Sequence, residues 1–274
     1  MARGIAIHIG VNQPASPRQA RLSLSEENAW KMAELSYQAG YGAIHLLRGA
    51  DATCAAVRSL LSAAAGALKP RHTLLVSFSG HGRRVPDMNR DERDGWDETW
   101  CLHDANLVDD ELLEIWKIAA TGARVLVVSE SCFAGGMRYG DDVLAERPQA
   151  PYRPVYRTPG PVLRGVPQYA ATAPRISTPA HDEGIRASVL VLAGASETQT
   201  AREGLYTRCM LELWSGGEFR ESFQVLQQRL RERVQNENPG QEPQMVMLGT
   251  PNSGLPLEPA FHLGGAAMRG GMRG

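Results

Sequence analysis

Apolar residues recur along the chain with two different periods. Residues 4–11 alternate around Ile5, Ile7 and Ile9, which predicts a strand. Residues 23–39 switch to helical spacing, with Ala29, Met32, Ala33 and Leu35 on one stripe, Ser25 as the expected N-cap and Gly40 as the stop. Residues 43–47 predict a second strand. Asp51-Ala52-Thr53 opens a helix that runs to Leu68 and ends before Pro70. The run HTLLVSFS, residues 72–79, is apolar and β-rich, and Gly80 closes it. An acidic stretch, expected as a loop, leads to a helix over residues 109–120 carrying Leu112, Leu113, Ile115 and Trp116, and then to a buried strand over 123–129.

The order β-α-β-α-β-loop-α-β predicts an α/β fold with a mainly parallel sheet and helices on both faces. Beyond residue 137 the periodicity fails. Eight prolines between Pro148 and Pro179 preclude a packed helix, so residues 137–186 read as one long exposed loop. Order is expected to resume with a strand at 187–195, helices at 204–214 and 219–236, and a late strand at 244–248. Residues 264–274 read as a flexible Gly-rich tail, leaving a single domain over 1–263.

Composition narrows the function classes. The 274 residues are 43% hydrophobic and 22% charged, as in an ordinary globular chain. A net charge of -1 provides no field for nucleic acid or an anionic membrane. No run approaches the roughly 20 apolar residues of a bilayer span, and the N-terminus reads as a first strand, without a signal-peptide cleavage site. Cys54, Cys101, Cys132 and Cys209 are widely spaced and form no C-x-x-C pair, which suits a reducing cytoplasm and argues against a zinc framework.

Parallel sheets place their chemistry at the C-terminal strand ends, and two such ends hold unusual residues. Ser79-Gly80-His81-Gly82 follows one strand and Glu130-Ser131-Cys132 the next. Taken singly, Cys132 is a small core residue and His81 a turn residue. As a pair on neighbouring strands they suit covalent catalysis, with a thiolate as nucleophile and an imidazole that assists its formation and then protonates the leaving group. Backbone N–H groups of Gly82 and Cys132 are candidate oxyanion donors. The chemistry requires no cofactor.

The motifs resemble those of caspase-fold cysteine peptidases, in the metacaspase-like branch. The separation of 51 residues from His81 to Cys132 matches caspase spacing. SFSGHG resembles the family's strand-plus-SGHG histidine motif, and SESCFAGG, residues 129–136, its DSCHSG nucleophile motif. DGWDETWCLHDANLVDDEL, residues 94–112, resembles its acidic segment, and GASETQTARE, residues 194–203, its strand-end segment before the last helices. The likeness covers about residues 4–250. Glu130 stands where the family has Asp before Ser-Cys, and Phe133 where it has His after Cys.

The resemblance implies protein substrates cut after a basic P1 residue, the residue on the N-terminal side of the scissile bond. Glu130 would pair with its charge, Arg more readily than Lys because a carboxylate accepts a bidentate guanidinium. Asn28, Glu27 and Ser196 would complete the pocket. Asp97, Asp109 and Asp110 match positions that hold calcium in many metacaspases, so calcium is an expected activator, although helix capping by Asp109 explains part of that pattern. Arg138, Arg147, Arg153, Arg157 and Arg164 stud the long loop and are candidate self-processing sites. An activating protein partner and a role as a bacterial defence or cell-death effector follow by analogy. Two other readings remain open: a catalytically silent caspase-fold binding protein, and a cysteine hydrolase of a non-peptide acyl bond.

Overall fold

The computed structural model of the chain describes residues 3–14, 19–89, 95–131, 175–176, 184–196, 199–250 and 254–263. Ten strands and five α-helices are assigned among them. The strands are β1 (Gly4–Gly10), β2 (Ala43–Arg48), β3 (Thr73–Ser79), β4 (Gly82–Pro86), β5 (Trp96–Cys101), β6 (Asn106–Val108), β7 (Arg124–Glu130), β8 (Arg175–Ile176), β9 (Ser188–Ala193) and β10 (Gln244–Gly249). The helices are α1 (Ser25–Gln38), α2 (Cys54–Ala67), α3 (Asp109–Ile118), α4 (Leu205–Trp214) and α5 (Phe223–Glu237).

Seven strands form one sheet in the order β2-β1-β3-β7-β9-β10-β8. β2, β1, β3, β7 and β9 run parallel; β10 is antiparallel to β9. Successive side chains of a strand point to opposite faces, and here each face has its own core. Val76, Phe78, Val125, Val127, Val189 and Val191 pack with Val57 and Leu61 of α2 and with Leu112, Ile115 and Trp116 of α3. Leu75, Leu126, Val128, Leu190 and Leu192 pack with Met32 and Leu35 of α1, Met210 of α4 and Leu226 of α5. Burial on both faces explains why these strands read as continuous apolar runs. The α/β class, the mainly parallel sheet and helices on both faces are as the pattern predicts. No helix among the described residues is long and apolar enough to cross a membrane.

Three local expectations are corrected. The acidic stretch after His81 contains a second sheet, β4-β5-β6, all antiparallel. Its period-2 signal in WDETWC is hidden because both faces carry polar residues, while Trp100 and Leu107 still reach the core. Ser25 is the first residue of α1 and does not cap it; Leu24 occupies that position with no side-chain cap. Within the expected long loop, Arg175–Ile176 pairs in parallel with β10. Thr53, by contrast, does cap α2, its hydroxyl accepting from the Ala56 N–H at 3.2 Å.

One polar group sits at the centre of the sheet. His8 is fully buried, with Nδ1 2.7 Å from Ser77 Oγ and Nε2 2.8 Å from Ser36 Oγ. Either serine can donate or accept, so a neutral imidazole is satisfied in both tautomers. Burial lowers its pKa to about 3. The unfolded chain therefore binds a proton at this residue between pH 6.5 and 3 that the folded chain does not, and stability falls with falling pH across that window. Compared with His8→Gln in urea titrations, the wild type should lose up to about 1.4 kcal/mol more per pH unit there. Parallel pH profiles would remove His8 as the source.

Candidate active site

The register of β3 on β7 sets the site. Ser79 pairs with Glu130 as the last rung, and the Gly80 N–H donates to the Glu130 carbonyl at 3.3 Å. His81 follows that rung by two residues, and in the sequence Cys132 follows Glu130 at the same interval, so the register brings the ends of β3 and β7 to one edge of the sheet. Cys132 lies outside the described residues, as do Arg138, Arg147, Arg153, Arg157 and Arg164. The strand order reverses one strand away, between β1 and β3, and such a reversal opens a crevice at the C-terminal strand ends.

His81 is buried, and its Nε2 lies 2.6 Å from the carbonyl of Ala20. A carbonyl can only accept, so Nε2 carries the proton and Nδ1 is the basic nitrogen. Burial lowers the imidazole pKa; the Ala20 carbonyl and the charge of Glu203 oppose that shift. Gly82 begins β4 opposite Trp100, and the His81 carbonyl accepts from the Cys101 N–H at 2.9 Å, which fixes the histidine turn against the small sheet. Gly80 is required there: a Cβ would come within 2.7 Å of the Phe78 ring, which stacks on Trp100 at 4.8 Å. Trp100 Nε1 in turn donates to Ser129 Oγ, which lies 3.2 Å from Ser131 Oγ.

The segment bearing Ala20 is held from both sides. Gln19 Nε2 donates to Cys101 Sγ at 3.1 Å, and the Leu22 N–H donates to the Asn12 carbonyl. On the other side, Glu203 Oε1 accepts from the N–H groups of Ser23 and Leu24, both at 2.5 Å.

Glu130 is buried and fully engaged. Its Oε1 accepts from the N–H groups of Tyr206 and Thr207 at 2.9 and 3.3 Å; Oε2 accepts from Thr207 Oγ1 at 2.6 Å and Asn28 Nδ2 at 2.9 Å. A carboxylate thus closes the first turn of α4, where orphan N–H groups and the helix dipole favour negative charge. Burial raises its pKa, these hydrogen bonds oppose the shift, and Glu203 adds to it. Asn28 also donates to Ser79 Oγ at 3.2 Å. Asn28 thus reaches Glu130 behind the cleft, whereas Glu27 lies exposed and pairs with Lys31 at 2.6 Å. Ser196 ends beyond β9, its N–H 3.4 Å from Gln199 Oε1.

A small, partly open cleft lies between these elements. His81, Gly80 and Ser79 line it from β3, Glu130 and Ser131 from β7, Leu22 and Ser25 from the α1 side, and Ala201, Glu203 and Gly204 from the α4 side. Asn28, Glu27 and Ser196, expected to complete a pocket here, are not among its lining residues. Sequence reading missed Ala20, whose contribution is a backbone atom, and Glu203. The latter closes the segment GASETQTARE just before a helix, where a strand-end acid was open to notice.

The acidic positions fall on the small sheet and the start of α3. Asp97 and Asp109 are buried; Asp110 Oδ2 accepts from Asn89 Nδ2 at 2.7 Å. Burial, then the charges of Glu98, Asp110 and Asp97, push Asp109 well above the usual carboxylate range. Its Oδ2 is buried without a hydrogen-bond partner among the described residues. Glu111, and not Asp109, accepts from the N-cap N–H, that of Val108, at 3.2 Å. Oxygen donors under mutual repulsion suit a hard cation. Yet no three acidic, histidine or cysteine side chains among the described residues are gathered closely enough to hold a metal in this conformation.

Comparison with known proteins agrees with this architecture. Residues 7–138 match the family model for the metacaspase, peptidase C14 domain. Metacaspase-1B of Aspergillus fumigatus is 38% identical over 72 residues, 24% of this chain and 18% of that protein. Metacaspase-7 of Arabidopsis thaliana is 35% identical over 83 residues, 30% of this chain and 21% of that protein. The chain thus spans about a fifth of the length of these curated relatives. A crystal structure of a Geobacter sulfurreducens protein superposes with TM-score 0.70 at 27% identity, covering 95% of this chain and 99% of that one. Caspase-1 of Spodoptera frugiperda shares the fold, with TM-score 0.54, 11% identity and 92% coverage of each chain.

Glu130 ties β7, α1 and α4 together, so its removal should be felt as stability. Glu130→Ala, which leaves the buried Tyr206 and Thr207 N–H groups unpaired, should cost about 2–4 kcal/mol in urea titration. An unchanged urea midpoint would show that the carboxylate merely lines the cleft.

Proposed function

We propose that this chain is a caspase-like cysteine endopeptidase of the peptidase C14 family in which His81 and Cys132 form the catalytic dyad, a reading supported by the match of residues 7–138 to the metacaspase domain model and by its metacaspase relatives. The observation that carries the reading is the Ser79–Glu130 rung, which sets the strand end that leads into His81 beside the strand end that precedes Cys132 in the sequence. With the proton of the buried imidazole on Nε2, Nδ1 is the basic nitrogen that would take the thiol proton.

The thiolate then attacks the scissile carbonyl carbon, forming a C–S bond while the carbonyl becomes an oxyanion. The backbone N–H groups of Gly82 and Cys132 are the proposed donors to that oxygen. The imidazolium, steadied by the Ala20 carbonyl, returns its proton from Nδ1 to the leaving amine as the C–N bond breaks. Water, deprotonated by the same nitrogen, releases the acyl group and restores the thiol. Substrates are proteins cut after Arg or Lys, a preference supported by the acidic wall of the cleft, where Glu130 and Glu203 stand. Cleavage of the chain itself after Arg138, Arg147, Arg153, Arg157 or Arg164 belongs to the same proposal. So does a reducing, cytoplasmic setting, in keeping with Cys54, Cys101 and Cys209 being free thiols. Service as a bacterial defence or cell-death effector under an activating partner extends the reading by analogy.

Calcium is the proposed activator. It would have to draw Asp97, Asp109 and Asp110 closer together than they lie in this conformation, and would offset the burial and neighbouring charges that raise the Asp109 pKa.

Two measurements test these points. With fluorogenic peptides carrying Arg, Lys, Asp or Ala at P1, the wild type should cleave after Arg, and Cys132→Ala and His81→Ala should each lose at least about 10³-fold in kcat/KM. Preference for Asp would overturn the specificity, and activity surviving in Cys132→Ala would overturn the dyad. In thermal melts at neutral pH, millimolar calcium should raise the Tm of the wild type and leave Asp109→Asn unmoved. The raised pKa makes an ionised Asp109 a cost at neutral pH, so the variant should also match or exceed the calcium-free wild type. Equal shifts in both proteins would remove Asp109 from the site.

A further inference from the structure

The acid that recognises the basic side chain need not be the one beside the nucleophile. Glu130 has two donors on each oxygen, all four from the protein's own groups. A carboxylate presents about four lone-pair sites, so an incoming guanidinium would have to displace α4 or Asn28 to reach it.

Glu203 differs in each respect. It is half-buried and lines the cleft. Oε1 is occupied by the Ser23 and Leu24 N–H groups, which lock the side chain's direction. Oε2 has a long 3.3 Å contact from Ser23 Oγ as its hydrogen bond among the described residues. One oxygen is thus a fixed anchor and the other retains acceptor capacity. The charge sits centrally, since it raises the pKa of both His81 and Glu130. Gly204 keeps the approach narrow: its φ is +72°, and a Cβ there would come within 2.6 Å of Leu24. A second polar group waits in the same cleft. Ser25 is buried, and its hydroxyl has no hydrogen-bond partner among the described residues.

We propose that Glu203 is the specificity-determining residue for a basic side chain: its Oε2 takes the charge of an arginine seated in the cleft, the Ser25 hydroxyl accepts a further guanidinium N–H, and Glu130 acts as a positioning residue that builds the wall behind. The assignment rests on the peptidase reading for its biological meaning, but it is a statement about guanidinium binding and can be tested without turnover.

The test uses the full chain carrying Cys132→Ala, titrated by calorimetry with a tripeptide ending in arginine amide and with its citrulline counterpart, the neutral near-isostere. The parent should bind the arginine peptide at least about tenfold more tightly, as expected for a charge-assisted pair in a partly closed site. Glu203→Gln added to this background keeps an amide oxygen for the Ser23 and Leu24 N–H groups, so its Tm should hold while the arginine preference collapses. Retention of the preference in Glu203→Gln, or equal binding of the two peptides by the parent, would overturn the proposal. Turnover separates it from the peptidase reading. In catalytically intact Glu203→Gln, the loss should fall on KM for Arg substrates; an equal fall in kcat for every P1 residue would assign Glu203 to holding the Ala20 segment, against the proposal. A wild type that cleaves nothing yet loses arginine binding through Glu203→Gln would keep the site and discard the peptidase.

Discussion

A buried carboxylate at the end of β7 joins elements that the chain sequence keeps far apart. Glu130 closes the first turn of α4, receives Asn28 from α1 and, through the Gly80 N–H on its own carbonyl, ties the end of β3 to that of β7. Burying such a charge without donors would be prohibitive. With four donors aimed at it, the group instead fixes where β7, α1 and α4 meet. The whole C-terminal edge of the sheet, where His81 turns into β4, hangs from that junction.

The same junction explains why Glu130 and Glu203 divide their work. An acid that organises structure needs every acceptor satisfied, since each unpaired buried donor costs about 1–3 kcal/mol. An acid that recognises a ligand needs an acceptor kept back. Glu130 meets the first condition and Glu203 the second, with one oxygen anchored by Ser23 and Leu24 and the other holding a single long contact. The anchor has a further effect, because the segment held by Glu203 also carries the Ala20 carbonyl that sets the tautomer of His81. Recognition and general-base orientation thus share one short stretch of backbone.

The small sheet adds a constraint of a different kind. By pairing Gly82 with Trp100 it holds the histidine turn against a tryptophan whose indole reaches Ser129 on the neighbouring strand. Its outer end gathers Asp97, Glu98, Asp109 and Asp110, whose repulsion is registered in Asp109. A change in charge there acts on β5, and β5 is bonded to the strand that begins one residue after His81.

The sequence by itself determined the central sheet and its helical layers. Runs such as LLVSF and RVLVVS specify strands buried on both faces, and strand-end glycines beside His81, with Glu130-Ser131 before Cys132, mark the edge where parallel sheets do chemistry. These are local signals, legible because strand and helix periods are properties of neighbouring residues. The β4–β6 sheet was not legible, because charges on both of its faces break the alternation that identifies a strand. The partners of each acid were decided by tertiary structure alone. Asn28 and Glu130 lie 102 residues apart, and Ser23 and Glu203 lie 180 apart. Nothing in the composition of either segment states which acid will be filled by protein donors and which will keep an oxygen for a ligand. That outcome depends on how α1 and α4 pack onto one face of the sheet, and only the assembled molecule expresses it.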